Sequence, residues 1–594
     1  MTHSSTLKHQ TSKAWILQTP DTRRQFSRAT WVPLRAIQTT QTGKYSAIGH
    51  TYELFACGSV AFPKKHREIA NQLGWNDIGI SHSAKPFVYS EDDYSPIDEF
   101  RHNDEEAIGI NLVFEYPQPV IGGTRWILNP DLVVALRLVK EGSNWVRPEE
   151  DFIVVAREKI DPKTNRHSLI EIKREFLMDY LAARGLSLRL SYYRQRIENV
   201  ADLESSSYAG MRDFEEVRDG GRFELRIRKL QSIYGRSWSS MRVWRTDLDS
   251  EEDAPVLSHH TNGNTDFAST EGYVRSYPGV RVEGEFWRNE WIENNNLSTR
   301  VRGDVDPNLP SFIIDTDGSR MPSDNLMDED IGRWLWFRPS VINELLSHRG
   351  FLLDWYTKET GAINSTSGYS THFGINTSDL ITVYAYDIAR LPAWEQRIWA
   401  AHNVSPEGKV SSELIDSQIY ASPADTHAPE KLLLRALRLL SSNFSLTYNM
   451  PLFKHEVSDI EFMQQISRFS STNQDSLLRL AKELVRIFSD RLDTNSLRKL
   501  SNHPNREKLG SNKLLQSILA QKTGEECARE VFSIIVGTYD MRLGDAHPTS
   551  SKIYEALNLA CIDTQASYLR QGEQLISNFG YAILCITKLL FDKD

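Results

Sequence analysis

The chain has 594 residues, 40% of them apolar and 25% charged, with a net charge of −10. That is the make-up of an ordinary soluble globular protein of about three or four domains. The four cysteines, Cys57, Cys527, Cys561 and Cys585, are scattered with no Cys-x-x-Cys pair, which argues against a zinc site or a disulfide framework and for a reducing compartment.

Residues 1–44 read as a polar N-terminal arm whose opening, Met-Thr-His-Ser-Ser-Thr-Leu-Lys, lacks the apolar core of a signal peptide. Residues 45–205 read as a mixed α/β domain. Strands are expected over Ile108–Glu115, Arg125–Leu128 and Leu132–Val139, where β-branched and apolar residues cluster. The acidic stretch from Glu91 to Glu106 is expected to be a solvated loop. Phe152–Ile160 and Ser168–Lys173 form an expected hairpin turned at Asp161-Pro162-Lys163-Thr164-Asn165, followed by a helix over Arg174–Arg184. Asp161 and Glu171-Ile172-Lys173 imitate the Asp…Glu-x-Lys pattern of PD-(D/E)xK nucleases, in which carboxylates hold a divalent metal and Lys orients water. The objection is geometric, since Asp161 belongs to the turn and not to a strand beside Glu171.

Residues 206–330 read as a second mixed, β-rich segment with long loops. Phe223–Arg228 alternates as a strand does, and the polar loop Thr246–Gly272 carries His259-His260 without further ligands at metal spacing. Residues 331–425 form an aromatic-rich α/β segment, with a buried strand expected over Ile381–Asp387 and a helix over Leu391–Trp399. Trp394, Ile398 and Trp399 are expected to build core. No Walker loop, strand-borne Gly-x-Gly-x-x-Gly, His-Glu-x-x-His or Gly-x-Ser-x-Gly stands in a supporting context, so neither ATP use nor serine-hydrolase chemistry is indicated.

Residues 429–594 have helical periodicity throughout. Lys508–Gln521, Cys527–Arg542 and Ser550–Leu559 each read as a helix, and two helices follow the 541–548 stretch through Leu590. The run Tyr581–Phe591 is broken by Lys588 and too short to span a bilayer, so a cytoplasmic protein without membrane association is expected. Charge is uneven: residues 431–520 hold 14 Lys+Arg against 8 Asp+Glu, a net of +6. A basic module on an acidic body suits an effector facing RNA.

Within this block stands Met541-Arg542-Leu543-Gly544-Asp545-Ala546-His547-Pro548. Gly544 and Pro548 interrupt the helical pattern, so Arg542 should end one helix and His547 should open the approach to the next. Arg offers a permanently charged planar fork suited to phosphate, and His exchanges protons near neutrality. RNA supplies its own nucleophile, the 2′-hydroxyl. One general acid/base and one charge clamp are therefore the minimum for metal-free cleavage.

The stretch resembles the Arg-x4–6-His signature of the HEPN superfamily of helical ribonucleases, and the likeness covers roughly Pro429 to Asp594. It implies an all-α HEPN-like C-terminal domain behind a mixed α/β (α+β) body, and a metal-independent endoribonuclease acting on tRNA or mRNA with no cofactor. Catalytic roles would fall to Arg542 and His547, with Asp545 as helper. It also implies a homodimer or higher homo-oligomer in which paired motifs line one cleft. A large body on a C-terminal HEPN unit resembles bacterial abortive-infection and antiphage factors, which implies a phage-derived trigger. Leu543 stands where many active members carry a polar residue. Two alternatives therefore remain: a catalytically inactive HEPN-like module for RNA binding or dimerisation, and a metal-dependent DNA nuclease using Asp161, Glu171 and Lys173.

Overall fold

Long runs in which inward side chains alternate with outward ones, such as Val280–Ile292 and Leu186–Val200, form extended antiparallel strands paired along their whole length. The computed structural model describes residues 25–78, 87–90, 93–95, 98–102, 106–117, 124–218, 220–235, 238–244, 265–271, 276–327, 333–366, 368–422, 424–455, 458–544 and 550–591. It is mixed α/β, with a large sheet towards the N-terminus and a helical stretch at the C-terminus. Two compact units result. One comprises Met1–Arg147 and Ile153–Val305, the other Pro148–Phe152 and Asp306–Asp594.

The first unit is organised by a 12-stranded sheet. Along its path run Phe214–Arg218, Gly221–Lys229, Val280–Ile292, Leu186–Val200, Thr51–Pro63, Trp31–Thr42, His167–Lys173, Ile153–Ile160, Asn144–Arg147 and Val139–Glu141. The helix Arg174–Arg184 covers part of one face with Phe176, Leu177, Tyr180 and Leu181, and stops where Gly185 takes the left-handed conformation (φ 65°). Charges buried in this sheet are closed off by partners. Glu290 accepts from Tyr192 Oη at 2.8 Å and from the Ser27 amide at 2.9 Å, with Arg288 Nε 3.2 Å away. The expected strand Leu132–Val139 is instead a helix over Pro130–Ala135 followed by the strand Val139–Glu141. Asn129 caps that helix by accepting from the Asp131 amide at 2.8 Å, and Pro130 occupies its first turn. The capping chemistry overrides the β-branched composition.

The second unit couples a six-stranded antiparallel sheet to a helical array. The sheet order is Leu352–Trp355, Thr360–Asn364, Ser370–Ile375, Ile381–Tyr384, Trp334–Phe337 and Asn403–Val404. Trp399 lies in its core at 4.8 Å from the Phe337 ring centroid, and Trp394 packs at its edge. The expected strand over Ile381–Asp387 turns into a helix at Ala385.

The helical array contains α1 (Pro429–Tyr448), α2 (Asp459–Gln465), α3 (Gln474–Ile487), α4 (Thr494–Leu500), α5 (Ser511–Thr523), α6 (Glu525–Gly544), α7 (Ser550–Leu559) and α8 (Tyr568–Phe591). These helices share one apolar core, including Leu440, Phe444, Leu484, Phe488, Leu519 and Phe579. Each such fully buried side chain contributes about 1.5–3 kcal/mol of hydrophobic stabilisation. By length and apolarity α8 could cross a membrane, yet its Leu575, Ile576, Phe579, Ile583, Ile586 and Leu590 are spent on this core.

Sheet and helices in this unit are joined by a buried ion network. Arg468 and Glu430 are both fully buried, with Nη2 to Oε2 at 2.7 Å and Nε to Oε1 at 3.0 Å. The Arg468 guanidinium lies 4.3 Å from the Trp355 ring centroid, and Trp355 stacks on Phe469. Arg570 of α8 extends the network to Asp379 (2.7 Å), Glu359 (2.9 Å) and Glu573 (2.6 Å).

Candidate nucleic-acid interface

Helix α6 runs two residues past the expected end at Arg542, to Gly544. Met541 in its last turn is fully buried in the core, while its neighbour Arg542 faces outward with 32% of its side chain exposed. Chain resumes as α7 at Ser550. The two helices pack closely because Gly537 has no side chain, for a Cβ there would stand 2.6 Å from the Ala560 nitrogen. Asp545 and His547 lie outside the described residues.

Arg542 is engaged by an oxyanion. Its Nη1 contacts both carboxylate oxygens of Asp490, at 3.1 and 3.0 Å, and its guanidinium lies 5.9 Å from the Tyr539 ring centroid. Nε and Nη2 make no hydrogen bond among the described residues, which leaves the outer edge of the fork available to a second oxyanion. Asp490 is itself 46% exposed. A pair this open to water is worth little, from about 0 to 1 kcal/mol, so a phosphate can compete for the cation.

Asp490 lies in the turn that follows α3. Phe453 and Leu492 form an antiparallel bridge, and the Lys454 amide donates to the Arg491 carbonyl at 2.9 Å. Lys454 Nζ reaches the Asp490 carbonyl at 3.2 Å. This pairing places His455 and Arg491 at the rim of a cavity of about 390 Å³ beside α1. Leu434, Leu437 and Ile487 supply its apolar lining, and Arg438 stands at the rim with them. Arg491 is held by Glu461 at 2.9 Å and Arg438 by Asp459, both carboxylates of α2 and both substantially exposed.

The basic side chains around the cavity were not singled out by motif. Arg438, Lys454, His455 and Arg491 come from three separate segments, and the signal that pointed to them was the net positive charge of residues 431–520.

The rival constellation is not assembled. Asp161 sits in the turn, its Oδ1 accepting from the Lys163 amide at 2.8 Å. Glu171 is buried on its strand in an ion pair with Arg157, the residue directly across the ladder. Asp161 is four residues beyond Arg157 along the same chain, a separation of about 13 Å at strand rise. Lys173 lies 5.8 Å from the Trp31 ring centroid. Among the described residues no group of three or more His, Cys, Asp or Glu is placed to hold a metal ion. The adjacent His259-His260 lie outside the described residues.

No family model, curated protein or solved structure matches the chain.

Proposed function

We propose that this protein is a metal-independent endoribonuclease of HEPN type whose cleavage site is built on Arg542 and His547. The observation that carries this reading is the engagement of Arg542. The cation closes a long core helix, projects to the surface within the Arg-x4-His motif, and already grips a half-exposed carboxylate with donors to spare. In the proposed reaction a base removes the proton of the RNA 2′-hydroxyl and the 2′-oxygen attacks the adjacent phosphorus. The bond to the 5′-oxygen breaks as that oxygen takes a proton, leaving a 2′,3′-cyclic phosphate and a 5′-hydroxyl. His547 serves as general acid/base, a role worth about 10²–10⁴-fold in rate. Arg542 stabilises the negative charge that grows on the non-bridging oxygens, worth about 10²–10³-fold. Asp545 assists as a helper.

Because one motif supplies a single imidazole, the proposal includes pairing of two copies, so that one His547 acts as base and the other as acid. A cytoplasmic setting, which rests on the scattered cysteines and the short apolar run, and an antiphage role with the body sensing an invader, which rests on the resemblance, belong to the same proposal. A metal nuclease is disfavoured, because Glu171 is paired with Arg157 and stands apart from Asp161. The test is cleavage of total RNA and tRNA in EDTA by wild type, Arg542→Ala and His547→Ala, with product ends mapped chemically. Loss in both variants and cyclic-phosphate ends are expected. Cleavage that needs metal or survives both substitutions contradicts the proposal.

A further inference from the structure

A cavity lined by four apolar side chains, two arginines, a histidine and two serines has the chemistry of a nucleotide, an anionic phosphate attached to a flat, poorly hydrated ring. We infer that the cavity lined by α1 together with Phe453, His455, Ile487 and Arg491 is a subsite for one nucleotide of single-stranded RNA, adjoining the cleavage site. Its volume of about 390 Å³ falls in the range of about 300–1,000 Å³ typical of small-molecule sites. Arg438 and Arg491 flank the opening with the His455 imidazole, and Ser441 and Ser442 add hydroxyls on the α1 side. Leu434, Leu437 and Ile487 form an apolar wall, and Phe453 contributes a ring on which a base can stack.

Position supports the same assignment. Arg491 follows Asp490, the partner of Arg542, so the cavity rim and the proposed phosphate clamp are attached to adjacent residues about 3.8 Å apart at Cα. A strand of RNA whose scissile phosphate lies on Arg542 has a neighbouring nucleotide within reach of the cavity. The carboxylates that hold Arg438 and Arg491, Asp459 and Glu461, both belong to α2 and are exposed, so a phosphate entering the cavity exchanges with them at little cost. Discrimination would come from the apolar wall, which a free inorganic phosphate leaves unused.

This inference rests on the ribonuclease reading for its substrate, and the two fail separately in one experiment. Binding of a fluorescent 2′-O-methylated RNA octamer, which cannot be cut, is measured by anisotropy on the full chain against salt. Adenosine 5′-monophosphate, adenosine and inorganic phosphate serve as competitors. The variants are Arg438→Ala/Arg491→Ala, and Ser442→Trp, which fills the opening from an exposed position and leaves every ion pair in place. Each is expected to weaken binding at least tenfold with an unchanged melting temperature, and the double variant to lower the salt slope by about 1.4, as for two single-strand phosphate contacts. The monophosphate should compete well, and adenosine and phosphate poorly. Octamer binding that is absent in wild type, or unchanged in both variants, overturns the subsite even if Arg542→Ala abolishes cleavage. Pocket-dependent binding by a protein that never cuts RNA leaves the subsite standing and removes the nuclease.

Discussion

Two arginines of the same helical region are used in opposite ways. Arg468 is fully buried against Glu430, hydrogen-bonded through three of its nitrogens and set over the Trp355 ring. Arg542 is a third exposed and hydrogen-bonds Asp490 through one nitrogen alone. A guanidinium enclosed in this way is committed to architecture, because no substrate can replace Glu430 without opening the core. One held loosely at the surface is available for exchange. On the proposed reading the difference separates architectural from substrate-binding charge, and Arg438 and Arg491 resemble Arg542 in that their α2 partners are exposed.

The contrast can be broken most forcefully at Arg468. Arg468→Ala leaves Glu430 charged and buried without its partner, and should cost about 3–5 kcal/mol in urea unfolding of the second unit. Arg542→Ala should change the same midpoint by less than about 1 kcal/mol. Equal losses at the two positions would show that exposure does not sort them. A smaller effect is expected at Gly537→Val, whose added side chain must push against the α7 backbone. Overpacking of that kind costs about 1–3 kcal/mol and should lower RNA cleavage as well, by displacing α7 from the motif. Intact cleavage in a destabilised Gly537→Val protein would uncouple helix packing from the site.

Acid sharpens the buried side of the comparison. Burial alone would raise the Glu573 carboxyl, but Arg468, Arg570 and Lys358 outweigh it and hold the carboxyl below the usual range. An unfolded glutamate titrates near about 4.3, so the stabilising contribution is complete above that pH and is lost as pH falls through the lower folded value. Unfolding midpoints followed from pH 6 to 3 should therefore drop, and Glu573→Gln should remove part of that dependence. An identical slope in the variant would place the acid sensitivity elsewhere. The smallest effect is expected at Asp490→Asn, which releases Arg542 from a surface pair worth up to about 1 kcal/mol. RNA binding should tighten by about two- to fivefold with stability changed by less than about 1 kcal/mol. Weakened binding would mean that Asp490 orients Arg542 for its ligand.

Helices were legible wherever a 3.6-residue repeat met clear punctuation. Ser550–Leu559 is bounded as read, and the expected Cys527–Arg542 extends only to Glu525 and Gly544. The strand reading of Leu132–Val139 shows what composition alone misses, since a single Asn-Pro-Asp cap was enough to make a helix of its first half. Arg542 was legible because its neighbours in sequence, Gly544 and Pro548, mark a helix end. The cavity was not, because its walls come from positions 434 to 491 and meet through the backbone bridge of Phe453 with Leu492. The Arg468 network was hidden for the same reason: Glu359, Glu430 and Glu573 are far apart in the chain, and only folding makes them neighbours.

The central claim is that loosely held charge at the end of α6 performs chemistry. Its most direct test is cleavage of purified tRNA by the full chain in EDTA, comparing wild type with Arg542→Ala and His547→Ala at matched melting temperature. The account predicts cuts by wild type that leave 2′,3′-cyclic phosphate ends, reduced at least about 100-fold in each variant. Cleavage at the wild-type rate by both variants would contradict it.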